Sequence, residues 1–349
     1  MAFGNNKGAP RREANIDEVS LRFVMVNLIV IILLLAVLTT YLTVFMINKP
    51  ADNITDNNSH TPSDETNYPF KKDGIVIDLP SVDTAEYGIS ADLINSEKAI
   101  LIDITDSKII ASRQGATVIY PASMTKVMTL IVIAENIKNE SALDEVLSIT
   151  HERGENSGYG FNVGEKLTVK DLIYAAILQS DGVACLTLAD YIAGSEANFV
   201  KMMNDKAREL GLSEQTTLFQ NCTGLHHDYH YSTCRDIAII MAYAMENPFC
   251  RSVLTSIKYS PSDNFRPGEG CTFWNTLLHN RLLDGTLQPN DAEIIGGKTG
   301  LTEKNTSGYC IVTYARGDNG HFYISVTAKA DSWDANVEDI INIYNEYVK

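Results

Sequence analysis

The hydrophobic pattern divides the chain into an apolar N-terminal segment, a polar stretch and a long region of strand and helix patterns. Phe23 to Ile47 contain no charged residue and consist mostly of Leu, Ile and Val. Such a run is long enough to cross a bilayer as a slightly tilted helix. Lys and Arg are concentrated before it, and only Lys49 follows closely. The positive-inside rule therefore places the N-terminus in the cytoplasm and the rest of the chain outside.

A cleaved signal peptide is the alternative interpretation of this segment. The apolar run is longer than the hydrophobic region of a signal peptide, and Met46 to Pro50 lack a small-x-small cleavage site. An uncleaved transmembrane helix at 23–47 is therefore expected, with residues 1–22 as a cytoplasmic tail. Residues 48–80 are rich in Asn, Asp, Thr, Ser and Pro, with too little apolar content to fold alone. They predict a flexible extracytoplasmic linker before a folded domain at 81–349.

The folded region begins and ends with strand patterns. Lys98 to Ile104 and Lys108 to Ser112 are predicted strands on either side of the turn Thr105 to Ser107, which indicates a hairpin. Near the C-terminus, further strands are predicted from Gly308 to Tyr314 and from Phe322 to Ala328.

Helical periodicity dominates the middle of the domain and returns at its end. Thr168 and Asp171 have the spacing of a capping box. Strands at both ends with helices between them predict an α+β domain, in which an antiparallel sheet is built from both ends and accompanied by a helical subdomain. The predicted helices follow Lys126, begin at Thr168, run from Val183 to Ala193 and from Glu196 to Leu210, extend from Thr233 through Met245, and close the chain at Val337 to Tyr347.

Composition and charge narrow the functional classes. The net charge is -16 at pH 7, so a nucleic-acid partner, which needs a basic face, is not expected. The six cysteines permit disulfides without requiring them, and Cys185 and Cys310 lie in apolar patterns that favour free, buried thiols. The turn-rich stretch that contains His226, His227 and His230 lacks zinc-ligand spacing, so no metal site is expected there. No cofactor is expected either.

Candidate chemistry is concentrated in the stretch Tyr120-Pro-Ala-Ser-Met-Thr-Lys126. Ser123 and Lys126 are three residues apart, so in a helix the Lys126 amine can reach the Ser123 hydroxyl. A serine needs a neighbouring base to become a nucleophile, and burial can lower the pKa of a lysine enough for it to act as that base. The residues after Lys126 are apolar almost all round, which predicts an interior helix. On this motif alone, a helix cap beside a solvated lysine is the alternative.

Two further polar stretches follow. Ser180-Asp-Gly182 falls between two predicted apolar helices, and Lys298-Thr-Gly300 precedes the closing strands. The second stretch offers an ammonium, a hydroxyl and, through glycine, close approach of the backbone to a ligand. Those are the groups needed to hold a carboxylate. In isolation, the stretch Lys298 to Gly300 is also typical of a polar turn.

In this order, Ser-x-x-Lys, Ser-x-x and Lys-Thr-Gly resemble the active-site set of penicillin-binding proteins and serine β-lactamases. Within that superfamily the chain resembles the D-alanyl-D-alanine carboxypeptidases from about Ala99 to Lys329. The resemblance implies a β-lactamase/transpeptidase-like fold, a peptidoglycan stem peptide ending in D-Ala-D-Ala as substrate, and β-lactam antibiotics as ligands. The stretches that carry it are Pro121 to Lys126, Leu178 to Cys185, Leu186 to Asp190, Phe199 to Asn204, Asn221 to Leu225, Tyr231 to Asp236 and Gly297 to Gly300.

The resemblance also implies a role for each catalytic residue. Ser123 would attack the carbonyl between the two terminal D-alanines and form an acyl-enzyme, while Lys126 takes its proton. Ser180 would bridge the lysines and relay a proton toward the leaving amine. Water would then release the shortened peptide.

The third motif is implied to bind substrate. Lys298 and Thr299, together with Gly300, would hold the terminal carboxylate, the group that β-lactams mimic. The oxyanion would lie between the backbone N–H groups of Ser123 and Leu301. Such donors contribute about 3–4 kcal/mol each to lowering the barrier.

Two features depart from the family pattern. The second motif is usually Ser-x-Asn, but Gly182 occupies its third position. An Asn there would hydrogen-bond the lysine and the substrate amide, so a weakened or retuned enzyme is expected rather than an inactive one. The chain also ends 20 residues after Lys329, which leaves no room for the β-rich C-terminal domain and amphipathic tail anchor common in this group. The N-terminal helix is expected to replace the tail as the tether.

The leading hypothesis is a membrane-anchored serine D-Ala-D-Ala carboxypeptidase. A serine β-lactamase shares the fold and nucleophile, but the chain has no Glu-x-x-Leu-Asn stretch to supply a deacylating glutamate. A catalytically weak wall-binding or penicillin-sensing module is the alternative from a different class. A sensor usually carries a cytoplasmic output domain, and residues 1–22 are too few for one.

Overall fold

The structure describes most of the region that the sequence predicts to fold as a domain. The predicted cytoplasmic tail, the transmembrane helix at Phe23 to Ile47 and the linker at 48–80 lie outside the described residues. No helix within the described part is both long and apolar enough to cross a membrane. The computed structural model describes residues 85–152, 154, 158–263, 265–283 and 285–349.

A six-stranded sheet forms the centre of this region. In chain order its strands are β1 (Tyr87–Gly88), β2 (Lys98–Asp103), β3 (Lys108–Arg113), β4 (Ala292–Gly300), β5 (Tyr309–Gly317) and β6 (Phe322–Ala330). Their order across the sheet is β1-β3-β2-β6-β5-β4. The hairpin β2–β3 therefore joins the C-terminal strands through antiparallel pairing of β2 with β6. The prediction that the sheet is assembled from both ends of the domain is confirmed.

One edge of the sheet differs from the antiparallel arrangement that was predicted. The short strand β1 runs parallel to β3, with Tyr87 beside Ala111. The pairings of the other strands are antiparallel. Both residues of β1 are exposed, so no alternation of apolar and polar residues marks this strand in the sequence. The prediction is wrong at this edge, and the sheet is mixed.

Both faces of the sheet are covered, which explains the uninterrupted apolar run in β2. Side chains alternate between the two faces along a strand. Ile100 and Ile102 belong to a large core that includes the helices of the middle region. Leu101, between them, belongs to a smaller core shared with the C-terminal helix. The sheet therefore separates two hydrophobic cores.

The predicted helices are present, and the capping box predicted at Thr168 is confirmed. Thr168 Oγ1 accepts a hydrogen bond from the N–H of Asp171, and the Asp171 carboxylate accepts one from the N–H of Thr168. The α-helices of the described region are α1 (Lys126–Asn136), α2 (Val169–Leu178), α3 (Gly182–Ala193), α4 (Glu196–Glu209), α5 (Cys234–Glu246), α6 (Pro248–Leu254), α7 (Leu278–Leu283) and α8 (Trp333–Tyr347).

Shorter elements complete the described region. The 3-10 helices are Ala122–Thr125 and Glu140–Asp144. Two-stranded ladders join Val118–Ile119 to Ser232–Thr233, Val146–Ser148 to Lys166–Thr168, and Lys258–Tyr259 to Phe273–Trp274.

Side-chain caps account for two differences from the predicted helices. Helix α8 begins before the predicted Val337 because the Ser332 hydroxyl accepts from the N–H of Ala335 and starts the helix there. Helix α6 was not predicted. The Asn247 side chain starts it by accepting from the N–H of Phe249.

Helix α1 lies at the centre of the large core. Every residue from Val127 to Ala134 is buried, which confirms the predicted interior helix. Lys126, its first residue, is only 2% exposed. Protein interiors are packed as densely as organic crystals, so the position of the Lys126 amine is fixed by the packing of the whole helix.

The cysteines are free thiols. Cys185 and Cys310 are fully buried, which confirms the prediction for these two. Burial raises the pKa of Cys185 to about 11, so it is a neutral thiol at neutral pH.

Candidate active site

The predicted nucleophile lies on the 3-10 turn that leads into α1. Ala122, the first residue of this turn, has a φ of 49°, in the left-handed region that non-glycine residues rarely adopt. Lys126 Nζ lies 3.0 Å from Ser123 Oγ. The two groups that the sequence spacing brings together are therefore within hydrogen-bond distance.

Lys126 is enclosed by protein and has a second polar partner. Its Nζ donates a hydrogen bond of 2.5 Å to the backbone carbonyl oxygen of Thr223. Burial lowers the pKa of Lys126, and the neighbouring Cys185, Cys222 and Asp181 counteract only part of this effect. A lower pKa increases the neutral fraction of the amine, and the neutral amine is the form that can take a proton from a serine.

Ser180 lies in the tight connection between α2 and α3. Its φ of 56° is a strained conformation for a residue with a side chain. The hydroxyl oxygen accepts a hydrogen bond of 3.0 Å from Lys298 Nζ. Because the oxygen acts as acceptor in that bond, the hydroxyl proton can be donated to a second group.

Asp181 fixes this connection from inside the protein. Its carboxylate caps α3 by accepting from the N–H of Ala184 at 2.8 Å. It also accepts from the N–H groups of Tyr159 and Gly160, at 2.9 and 3.4 Å. Burial raises the pKa of Asp181, against the effect of these three backbone donors. The loop at 158–160 is thereby tied to the second motif.

Lys298 and Thr299 lie near the end of β4. Lys298 is 2% exposed, and its Nζ donates to Ser180 Oγ and to the backbone oxygen of Thr299, each at 3.0 Å. Burial lowers the pKa of Lys298 well below its usual value, and the nearby charge of Lys126 lowers it further. Thr299 Oγ1 lies 3.2 Å from Thr276 Oγ1, so two hydroxyl groups meet on this wall of the site.

Gly300 has a structural role that the sequence analysis did not anticipate. A Cβ atom on Gly300 would lie 2.8 Å from the carbonyl oxygen of Pro121 and 3.3 Å from Ala122 Cβ. The end of β4 therefore packs directly against the nucleophile turn. A side chain at Gly300 would push the third motif away from the first.

Two clefts meet at the nucleophile. Ser123 and Leu301 line both of them, so the predicted oxyanion donors belong to the residues where the clefts join. One cleft, of about 450 Å³, is lined by Ser180 and Thr299. The other, of about 480 Å³, is lined by Gly182. An extended peptide bound across Ser123 would have one cleft for each side of the bond to be cleaved.

Arg281 was not singled out by the sequence analysis. It lines the first cleft from helix α7, and its Nη2 lies 2.5 Å from Asp334 Oδ1. The Asp334 side chain is 85% exposed, so the pair lies at the solvent edge of the cleft. No motif marks Arg281, because its place in the site depends on tertiary packing of α7.

His230 is a second residue with a role that the sequence did not reveal. It is buried, and its Nδ1 accepts a hydrogen bond of 3.1 Å from the N–H of Gln220. Its Nε2 lies 2.8 Å from Thr125 Oγ1. Burial lowers the pKa of His230 to about 3, so the ring is neutral and Nε2 carries the proton that it donates to Thr125. His230 therefore holds the turn that carries the nucleophile.

A group of side chains with metal-ligand spacing lies at the other end of the sheet from Gly300. It consists of Asp103, Asp106 and His321. The Asp103 carboxylate accepts from the N–H groups of Thr105 and Asp106, and its other oxygen lies 2.8 Å from His321 Nδ1. A turn and an ion pair account for this group, and it takes no part in the chemistry of the clefts.

Sequence comparison relates the described region to one family. Residues 85–332 match the sequence profile of the D-alanyl-D-alanine carboxypeptidase family of peptidases. The D-alanyl-D-alanine carboxypeptidase DacF of Bacillus subtilis is 32% identical over 227 residues, which cover 64% of this chain and 55% of that protein. The chain thus spans little more than half the length of this curated relative.

Solved structures show the same fold. Penicillin-binding protein 5 from Haemophilus influenzae superposes with a TM-score of 0.61 at 25% identity, covering 72% of this chain and 70% of that one. A mutant of a Streptomyces DD-transpeptidase gives a TM-score of 0.62 at 26% identity, covering 72% of this chain and 97% of that one. The predicted transpeptidase-like α+β fold is confirmed.

Proposed function

The chain belongs to the D-alanyl-D-alanine carboxypeptidase family, and we propose that it is a serine carboxypeptidase that removes the terminal D-alanine from peptidoglycan stem peptides. The observation that carries this proposal is the 3.0 Å contact between the Ser123 hydroxyl and the buried Lys126 amine. A second hydroxyl and amine, Ser180 and Lys298, form a pair at the same distance. Both hydroxyls line one cleft.

In the acylation step, Ser123 Oγ attacks the carbonyl carbon of the penultimate D-alanine while its proton passes to the neutral amine of Lys126. The carbonyl oxygen becomes an oxyanion and accepts hydrogen bonds from the N–H groups of Ser123 and Leu301. Collapse of this intermediate breaks the C–N bond and leaves the acyl group on Ser123. Ser180 gives its proton to the departing nitrogen, and the proton held by Lys126 restores the Ser180 hydroxyl.

The first cleft suits the D-alanine that leaves. Its carboxylate needs donors and positive charge, and this cleft presents the hydroxyls of Thr276 and Thr299 together with the guanidinium of Arg281. The pKa of Lys298 is lowered well below its usual value by burial, whereas an arginine stays charged in proteins. We assign the permanent positive charge of the carboxylate site to Arg281, with Lys298 and Thr299 completing it.

A water molecule completes the reaction. It attacks the acyl carbon on Ser123 while Lys126 takes one of its protons. The C–O bond to Ser123 then breaks, and Lys126 returns that proton to Ser123 Oγ. The shortened peptide is released with a new carboxylate. A β-lactam offers an amide carbonyl and a carboxylate in a similar arrangement, so we propose that it acylates Ser123 by the same route.

The location of the enzyme is a separate proposal that rests on the sequence. The uncharged run Phe23 to Ile47 and the basic residues before it support a single-pass anchor with a cytoplasmic N-terminus. The polar stretch at 48–80 would then carry domain 81–349 away from the membrane surface, toward the cell wall.

The test uses the full-length protein in detergent. Its intact mass is measured before and after incubation with benzylpenicillin, and the adduct is located by peptide mapping. Release of D-alanine from a peptide ending in D-Ala-D-Ala is measured in parallel. We expect an adduct on Ser123 and release of one D-alanine per peptide. The Ser123→Ala variant should show neither.

Other outcomes would point to the alternative functions. Rapid release of hydrolysed penicillin without peptide cleavage would favour a serine β-lactamase. A stable adduct without turnover of any peptide would favour a binding or sensing module. If neither an adduct nor hydrolysed penicillin formed, the site would not be a working serine acyltransferase, and the proposed function would be wrong.

Gly182→Asn is expected to raise the rate of D-alanine release by up to about tenfold, because its side chain would add one hydrogen bond to the substrate amide. A Cβ on Gly182 would meet its nearest neighbour, Thr223 Cγ2, at 3.6 Å, which is an ordinary van der Waals contact. The matched control is Gly182→Ala, which fills the same space without an amide and should leave the rate unchanged. Equal rates for the Asn variant and wild type would mean that the missing amide has no effect on catalysis.

A further inference from the structure

The segment Asn221–Leu225, here called the asparagine loop, packs directly against the active-site lysine. The backbone oxygen of Thr223 accepts the 2.5 Å hydrogen bond from Lys126 Nζ. Thr223 is 4% exposed, so water does not compete for this contact. Its methyl group would be the nearest neighbour of a Cβ atom on Gly182, at 3.6 Å. Thr223 therefore occupies the space beside Gly182 and supplies a carbonyl acceptor to Lys126.

One side chain sets the shape of this loop. Asn221 Oδ1 accepts three hydrogen bonds, from the Thr223 N–H at 3.2 Å, the Thr223 hydroxyl at 3.0 Å and the Gly224 N–H at 2.7 Å. Asn221 Nδ2 donates to the backbone oxygen of Leu225 at 2.9 Å. The amide thus closes the loop on itself, and the orientation of the Thr223 carbonyl depends on it.

The loop is also anchored at its start. The backbone oxygen of Cys222 accepts from Thr129 Oγ1 of helix α1 at 2.7 Å, and the Cys222 N–H donates to Glu196 Oε1 at 3.0 Å. The loop is therefore fixed to the same helix that carries Lys126. Its geometry is set before any substrate binds.

The hydrogen bond from Lys126 to the Thr223 carbonyl determines the direction in which the lone pair of the Lys126 amine points. A neutral lysine amine has two N–H bonds and one lone pair. When one N–H points to the Thr223 oxygen, the lone pair can point to the proton of Ser123 Oγ. After proton transfer, the same carbonyl stabilises the ammonium. A carbonyl in this place performs the part that an asparagine amide oxygen at position 182 would play.

We propose that Asn221 is a positioning residue for catalysis, which acts by holding the Thr223 carbonyl on Lys126. This inference rests on the proposed function, since it assigns Lys126 the role of the base. It accounts for how a site with Gly182 in its second motif keeps an acceptor for the lysine.

The test compares Asn221→Ala with a matched control, Asn204→Ala. Asn204 makes the same kind of amide clamp, donating to the backbone oxygen of Phe219 at 3.0 Å and accepting from its N–H at 2.9 Å. The rate of acylation by benzylpenicillin is measured from pH 5 to 11. The pKa of Lys126 is measured separately by NMR of protein labelled with 15N-lysine, which needs no turnover.

We expect Asn221→Ala to lower the acylation rate by about tenfold or more. Loss of an acceptor that favours the ammonium lowers the pKa of Lys126 further, so the acid limb of the rate profile should move to lower pH. Asn204→Ala should change neither the rate nor the profile. Asn221→Asp keeps the oxygen that accepts the three bonds and should recover most of the rate, and its added negative charge should raise the pKa of Lys126 above that in Asn221→Ala.

The groups that face Lys126 could also move its pKa, and they are the same in all variants. They are Asp181 and Cys185 at the start of helix α3, Cys222 of the asparagine loop, Lys298 of β4, and His230. A purely structural role for Asn221 would lower the active fraction equally at every pH and leave the pKa of Lys126 unchanged. That result, or a wild-type rate for Asn221→Ala, would overturn the proposal. If wild type formed no adduct, the proposed function would fail, whereas the NMR comparison would still decide the role of Asn221.

Discussion

Lys126→Met is expected to slow acylation of Ser123 by about 10³-fold or more, within the range by which general bases accelerate reactions. The variant removes the amine that lies 3.0 Å from Ser123 Oγ and keeps a side chain of similar length. The apolar methionine suits a buried position, but it leaves the Thr223 carbonyl without its partner, at a cost of about 1–3 kcal/mol. The variant should therefore fold. Acylation is measured by intact mass against benzylpenicillin, and the free energy of unfolding by denaturant titration.

Lys206→Met is the matched control for this variant. Lys206 is also buried, but its Nζ forms ion pairs of 2.7 Å with Glu135 and Glu209. Its replacement removes both ion pairs and leaves the Glu135 carboxylate with the Tyr243 hydroxyl but no cation. This should lower the free energy of unfolding, while the acylation rate stays at the wild-type value. If Lys126→Met were acylated within tenfold of wild type, a group other than Lys126 would be the base.

Gly224→Ala is expected to lower the acylation rate by about 100-fold, the effect of a displacement of about 1 Å at a catalytic group. Gly224 has a φ of 83°. A Cβ here would overlap the carbonyl group of Ala122 and lie 3.0 Å from the Ser123 nitrogen. The asparagine loop and the nucleophile turn would have to separate. Strain and overpacking together should reduce the free energy of unfolding by roughly 2–4 kcal/mol.

Gly211→Ala is the control that introduces the same backbone strain without a steric clash. Gly211 has a φ of 75°, but no atom lies within 4 Å of the Cβ position. This variant should lose about 1–2 kcal/mol of stability from strain alone and keep the wild-type acylation rate. Equal acylation rates in the two glycine variants would show that contact with Gly224 does not position the nucleophile.

The parts of the site that could be predicted from the sequence are those set by local geometry. Ser123 and Lys126 are one helical turn apart, so helix geometry alone brings them together. The apolar residues after Lys126 predicted its burial, and burial is the main cause of its lowered pKa. The roles of Ser180 and Lys298 were inferred from the family resemblance, because only tertiary structure brings these two side chains within hydrogen-bond distance.

The parts that could not be predicted depend on contacts between distant segments. Thr223 lies 97 residues from Lys126 along the chain, and it contributes a backbone carbonyl, which every residue type carries. No sequence pattern distinguishes it. Arg281 is an isolated arginine on a short helix, and its cleft position follows from how that helix packs. The sequence shows that Gly182 lacks the asparagine side chain usual in the second motif. The Thr223 carbonyl that accepts a hydrogen bond from Lys126 is visible only in the fold.

The same limits apply to the secondary structure. Strands β2, β3, β5 and β6 were predicted because each carries a continuous apolar pattern. The exposed strand β1 has no such pattern, and its parallel pairing could not be foreseen. Helix α6 begins at Pro248 and is capped by the Asn247 side chain. An Asn followed by a Pro is a local signal of a helix start, so this helix was predictable from the sequence although it was not predicted.

The pairing of β2 with β6 has a consequence for the order in which the domain is made. Asp103 lies beside Tyr323 in this pair, so β2 cannot gain its second neighbour until synthesis has passed β6, more than 200 residues later in the chain. Until then the hairpin β2–β3 has an open edge, and two strands alone are only marginally stable in water. Helices that follow each other closely along the chain, such as α2 and α3, pack together and can form earlier, whereas closing so long a loop is a slow step. Lys298 lies on β4 in the same late segment, so a nascent chain can hold Ser123 and Lys126 on a formed helix well before the proposed carboxylate site is complete.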